Sequence, residues 1–335
     1  VKKTNLLVAT AVLASMSSVA VAADVEIYGR AHLSLDFLDD GADTGTNISS
    51  NSSRLGFRAS SELDNGLEAF MQLEQNIRYD QRGGEFASRD SFVGIRGNFG
   101  QVRLGYFDTP LKAVRSRTDM FGDRLGDARN MTSGGGMSFD NRYRNGIHYR
   151  SPSMNGLVFD FQYTPHNATG ATTDNDQESY STSLTYRTGD WFFVAAYETY
   201  EGDTLDPTAV RLGTYVDITP DFRVSGFYQN ATDVPGGDRD TFGIGASYKL
   251  NGGYTLRSQY YQTSDNDTAN TGADMFVLGI DKRLGASTTL YATYGITSND
   301  EFANFSVSSG GRDTRVTPVV GEDATGFSLG VIYNF

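Results

Sequence analysis

The side chains best able to do chemistry in this chain are charged, and the cations are mostly arginines, 23 of 28 basic residues. Arginine keeps its charge when crowded by like charges and grips a carboxylate through two parallel hydrogen bonds. Arg30, Arg54, Arg58, Arg103, Arg142 and Arg144, with Glu74, fall on the polar face of stretches whose other face is apolar. Asp119, Asp123 and Asp127 sit in a long polar stretch, 108–141. Opposed rows of fixed cations and anions create a transverse field, which orients dipolar solutes and filters ions by charge. That is electrostatics, not bond making. Catalysis finds little support. His32, His148 and His166 have no Ser or Asp partner at a meaningful spacing, and no H-E-x-x-H occurs. With no cysteine, disulfides and thiolate metal sites are excluded. Asp174-Asn-Asp176 and Asp265-Asn-Asp267 offer paired acids to Ca²⁺, but without the full ligand spacing. No metal and no cofactor are expected.

The elements that must position these charges are strands. Val25, Ile27, Gly29, Ala31, Leu33, Leu35 and Phe37 alternate with Glu26, Tyr28, Arg30, His32, Ser34 and Asp36. The period is two, and the run is longer than a globular strand of about 5–6 residues. The pattern recurs around Leu67–Leu73, Leu157–Tyr163, Trp191–Tyr197 and Phe242–Leu250, and ends in Phe327, Leu329, Val331, Tyr333 and Phe335. Sixteen candidate strands run from 24–37 and 52–61 to 288–297 and 324–335. Short turns such as Asp64-Asn65-Gly66 and Asn251-Gly252-Gly253 alternate with long polar loops, among them 39–51 and 298–323. This asymmetry, an even strand count and aromatic residues near strand ends predict an all-β, antiparallel transmembrane barrel. A charge facing lipid near the midplane would cost about 2–4 kcal/mol, so the arginines must face inward.

Residues 1–23 read as a cleaved export signal: Lys2 and Lys3, a short apolar core from Leu6 to Met16, then Ala20-Val21-Ala22. The remainder, 24–335, reads as one domain. The formal charge of −13 becomes −15 without the two lysines, which argues against nucleic acid as a partner.

Asp24-Val-Glu-Ile-Tyr-Gly29, Arg54-Leu-Gly-Phe57, Gly66-Leu-Glu-Ala-Phe-Met-Gln-Leu-Glu74, Arg89-Asp-Ser-Phe-Val-Gly94 and Tyr149-Arg-Ser-Pro152 resemble Gram-negative general porins of the neisserial and Bordetella-like branch. The resemblance spans nearly the whole chain after residue 23. It implies a sixteen-stranded barrel in the outer membrane, among its lipid and lipopolysaccharide, usually a homotrimer, passing small hydrophilic solutes and ions. In such porins the third external loop, here 108–141, folds into the lumen. Thr118-Asp-Met-Phe-Gly-Asp123 resembles its motif. Arg30, Arg54 and Arg142 match the family's basic wall and Glu74 its acidic wall. Tyr106 departs from the pattern, which often has an arginine there. Phe327, Tyr333 and Phe335 resemble the signal that barrel assembly machinery recognises. The alternative is a solute-specific porin with an aromatic track inside, for which Phe70 and Tyr261 are candidates. An enzyme is not expected.

Overall fold

A computed structural model describes residues 24–82, 86–167 and 177–335; the expected export signal, 1–23, and the Asp174–Asp176 run lie outside them. Seventeen strand segments occur among the described residues: β1 Asp24–Asp39, β2 Thr44–Ser50, β3 Arg54–Glu62, β4 Glu68–Asn76, β5 Ser91–Gly97, β6 Gly100–Asp108, β7 Arg142–Arg150, β8 Leu157–Thr164, β9 Ser179–Thr188, β10 Trp191–Tyr200, β11 Thr208–Thr219, β12 Phe222–Thr232, β13 Arg239–Leu250, β14 Tyr254–Thr263, β15 Ala273–Leu284, β16 Thr288–Asn299 and β17 Ala324–Asn334. Each pairs antiparallel with its neighbour, and β17 returns to β1, so the sheet closes. β2 and β3 are two halves of one stave, which makes the barrel sixteen-stranded.

β2 corrects the expectation of a loop over 39–51. Thr44–Ser50 is too polar to show alternation, yet it pairs with Leu33–Asp39 of β1. The stave breaks at Asn51–Ser53, where Ser52 has a φ of 50°. The Ser53 hydroxyl repairs the missing rung: it accepts from the His32 amide at 2.9 Å and donates to the His32 carbonyl at 3.0 Å.

The barrel is the inverse of a soluble protein. Val25 and Ile27 are 67% and 60% exposed, whereas His32 and Asp36 on the opposite face of β1 are fully buried. The apolar row Phe327, Leu329, Val331, Tyr333 and Phe335 likewise faces out. Lipid satisfies no backbone group, so only a closed ladder is tolerated. Closure runs in register from Arg30↔Asn334 to Asp39↔Thr325, and the Gly29 and Phe335 backbones exchange two hydrogen bonds at 2.8 and 3.1 Å.

After β6 the chain turns into the lumen. Thr109 caps helix α1 (Pro110–Thr118) by accepting from the Lys112 amide, and Pro110 takes a first-turn position where no amide is missed. Leu111 and Val114 on one side of α1 are buried, and a second short helix, α2 (Arg129–Thr132), buries Met131. They pack with Met120 and Phe121 on inward side chains of β10 to β15, among them Phe192, Val194, Phe227, Tyr261, Met275 and Val277. Those wall positions break the polar-in rule, and that marks where the loop docks. Residues 300–323 also bend inward: Val307 accepts at 2.8 Å from both the Gly126 amide and the Asn130 side chain. Arg312 makes a fully buried ion pair with Asp36 of β1, which also accepts from Ser328 at 2.6 Å.

Candidate functional site: charges across the lumen

The inner wall gathers its cations by register. Arg30 and Arg54 are directly opposed across β1 and β3. Arg30 reaches Asp123 on the inward loop at 3.3 Å, with its other arm 3.2 Å from the His32 ring. Arg54 lies 3.8 Å from Glu74, which is 7% exposed and also binds Arg89 at 2.5 Å. The Tyr28 hydroxyl donates to Glu74 at 2.9 Å. The tyrosine crosses there because Gly56 lies between: a Cβ at Gly56 would fall 2.2 Å from the ring. Arg142 is held by Asp90 at 2.5 Å and Asp108 at 2.9 Å. Arg103 stands 4.1 Å over Phe107 and 4.7 Å over Phe92, and donates to His148 at 3.2 Å.

Not every charge expected at the site joins it. Arg58 sits at the short-turn end, 49% exposed, with Glu26 at 3.3 Å. Arg144 is exposed, donates to the Asn167 carbonyl at 3.2 Å and lies 6.0 Å over Tyr106. The register shift between Gly105 and Phe107, with Asn145 at a φ of 54°, breaks the alternation, and it is Tyr143 that is buried instead.

The loop aspartates do not form an open row. Asp127 is fully buried, accepts from Arg129 at 2.7 Å and takes the Asp123 amide at 2.6 Å. Asp123 is shared between Arg30 and Arg129, the latter at 2.7 Å. Asp119 accepts from Arg115 at 3.0 Å and from the Phe121 and Ala128 amides. Arg115 also holds Asp140 at 3.1 Å, and Asp140 forms a two-pronged pair with fully buried Arg211 at 2.8 and 2.9 Å. The loop therefore neutralises its own acids.

Burial and then the Asp127 carboxylate push the Asp119 carboxyl up to about 6, against Arg115 and the two amides. Between about pH 4, the ordinary value, and this raised one, the folded chain binds more protons than the unfolded chain. This group's contribution to stability therefore increases as pH falls through that window. We expect the apparent melting midpoint of the wild type, relative to Asp119→Asn, to rise between pH 7 and pH 5. A pH-independent difference would show that Asp119 does not titrate there.

Several members of the site escaped sequence reasoning. Arg124 pairs with Asp281 at 2.5 Å and covers Tyr291 at 4.4 Å; Arg257 reaches the same Asp281 at 2.9 Å. Strand parity alone would have turned Arg257 and Asp281 inward. Arg89 and Arg124 lie outside strands and give no such signal. Tyr261, a candidate for an aromatic track, is 1% exposed beneath the loop, and Phe70 packs edge-on against Phe92 with Arg96 above it. Asp265 uses its carboxylate on the Thr271 and Gly272 amides at 2.7 and 2.8 Å. Among the described residues no cluster of three or more potential metal ligands occurs.

A closed barrel, apolar outside and charged inside, narrowed by an inward loop, defines an outer-membrane barrel of the porin class. Residues 9–303 match the profile of the Gram-negative porin family, and the chain belongs to that family. It is 29% identical to a major outer membrane protein P.IB of Neisseria gonorrhoeae over 183 residues, 52% of this chain and 51% of that protein. Against a second gonococcal P.IB the figures are 27% over 228 residues, 63% and 64%. The chain thus spans about half to two thirds of the length of these two relatives. An anion-selective porin from Comamonas acidovorans superimposes with a TM-score of 0.80 at 24% identity, covering 93% of this chain and 100% of that one. The trimer form of OmpT from Vibrio cholerae gives 0.71 at 20% identity, covering 94% and 100%. At these identities the likeness is one of fold.

Proposed function

We propose that this chain is a passive channel for small hydrophilic solutes and ions, with a preference for anions. The observation that carries the preference is the charge balance in the eyelet, the narrow passage between the inward loop and the barrel wall. Among the described residues Arg30, Arg54, Arg89, Arg103, Arg124, Arg129, Arg142 and Arg257 lie there with Glu74, Asp90, Asp108, Asp123, Asp127 and Asp281, eight cations to six anions. The surplus is positive although the whole chain is at −13. Ions crossing a low-dielectric pore respond to the local field, and net charge on distant loops is screened over about 8 Å at physiological salt. Arg30, Arg54, Arg103, Arg142, Glu74 and Asp123 set this field, while Asp119 and Asp127 brace the loop. The natural assembly is a homotrimer in the outer membrane, inserted by the barrel assembly machinery through the row that includes Phe327, Tyr333 and Phe335, and embedded in lipid and lipopolysaccharide.

Purified protein in planar bilayers should give stepwise, ohmic conductance, and a KCl gradient should displace the reversal potential to the anion side. Arg54→Gln with Arg142→Gln should move it toward cations. Silent bilayers from well-folded protein overturn the channel, and a cation-side potential in the wild type overturns the preference.

A further inference from the structure

Below α1, toward the short-turn end of the barrel, lies a second basic cluster that shares Arg103 with the eyelet and extends away from it. It surrounds a cavity of about 260 Å³ lined by Arg103, Arg117, Arg150 and Arg187 together with Asp108 and Asp160. The two carboxylates are already occupied. Asp160 accepts from Arg150 at 3.1 Å and lies 3.0 Å from His148, while Asp108 is held by Lys112 and Arg142, both at 2.9 Å. Among the described residues, Arg103, Arg117 and Arg187 have no carboxylate in ion-pair reach. Arg103 touches only His148 and two phenylalanine rings, and Arg187 stands 5.0 Å over Phe192. Three guanidinium groups from three elements (β6, α1 and β9) thus face one cavity whose two carboxylates are already paired with other cations, which leaves the lining with a positive surplus.

We propose that this space is an anion subsite on the periplasmic side of the inward loop, and that it takes a small phosphate monoester. The inference rests on the channel reading and adds a ligand class to it. Guanidinium forks pair with two oxygens at a time, and a tetrahedral dianion offers three oxygens and two charges to three guanidiniums, where a carboxylate group offers two oxygens and one charge and a halide no paired hydrogen bonds. Placed beyond the eyelet, the subsite receives anions that have crossed and lowers the barrier to their exit. A subsite that binds also slows chloride, so occupancy is visible as block.

The probe is glycerol 3-phosphate, added to either side of single channels carrying KCl current, each variant normalised to its own KCl conductance. We expect saturable block, with a lower half-blocking concentration from the short-turn side. In Arg117→Ser with Arg187→Ser that concentration should rise on the order of tenfold. Arg58→Ser, at the same end but outside the cavity, should leave it unchanged. Linear, unsaturable dependence, equal block by succinate, or an unchanged half-blocking concentration in the double variant overturns the subsite and leaves the channel standing. Silent bilayers overturn both.

Discussion

Asp140→Ala should release the inward loop, lowering the apparent melting midpoint and raising single-channel conductance and current noise. Asp140 is the node that ties the loop to the wall. Its carboxylate holds Arg115 of α1 and Arg211 of β11, and accepts from the Thr132 and Ser133 hydroxyls at 3.0 Å each. Arg115 retains Asp119 at 3.0 Å and Asp127 at 3.5 Å after the change. Arg211 retains no carboxylate in ion-pair reach among the described residues, only Gln229 at 2.7 Å, the Leu111 carbonyl at 3.4 Å and the Phe227 ring at 5.6 Å, and it is fully buried. Removing one partner of a buried pair typically costs about 3–5 kcal/mol, because the other charge is left uncompensated. Alanine carries a second penalty, since Asp140 has a φ of 73°. Asp140→Asn separates the two effects: asparagine tolerates that backbone and loses only the charge. If conductance and noise in Asp140→Asn match the wild type, the ion pair does not hold the loop. Acidification alone should not mimic the change down to about pH 4. Despite its burial, Arg211 and Arg115 hold the Asp140 carboxyl well below the usual carboxylate range.

The second large effect is expected at the seam. The Phe335 ring lies directly over Gly29 of β1, where a Cβ would fall 2.3 Å from its tip. The ring also stacks on Tyr333 at 5.8 Å. Gly29 is thus an empty site on the lipid face that the aromatic fills, and filling it completes the outer surface where first and last strands meet. Gly29→Val should expel the ring, and Phe335→Ala should remove it. Both should sharply reduce the fraction of heat-modifiable, folded barrel on detergent gels, with little change in conductance per folded channel. Because the two residues touch, their effects should not add: Phe335→Ala should partly rescue Gly29→Val. Additive losses would mean that the ring is not seated on Gly29.

How much of this was legible beforehand differs by element. The first strand announced both faces, because side-chain alternation is local and a charge toward lipid is prohibitive. The same reading placed Arg30, Arg54, Arg103 and Glu74 inward. It failed at Arg144, because the register shift between Gly105 and Phe107 breaks the alternation locally and buries Tyr143 in its place. It missed β2, because Thr44–Ser50 carries no apolar row and becomes a strand only by pairing with β1. One signal was present and unused. β10 reads Trp-Phe-Phe-Val-Ala-Ala-Tyr, apolar on both faces, and such a run marks a strand covered on both sides. Its inward residues Phe192, Val194 and Ala196 are the floor on which α1 rests.

The sequence by itself determined the barrel, its orientation of polar and apolar faces, and the closing pair of strands, since period two and the demand for a complete ladder leave little freedom. The tertiary structure alone decided which charges meet. Asp119, Asp123 and Asp127 looked like one acidic wall, but docking the loop brings them onto Arg115 and Arg129 of the loop itself and leaves only Asp123 in contact with the barrel arginines. Asp140 and Asp281 find partners 71 and 157 residues away, Arg211 on the wall and Arg124 in the loop. Ion pairing at that separation depends on where the loop seats, and the seat is set by apolar contact rather than by charge.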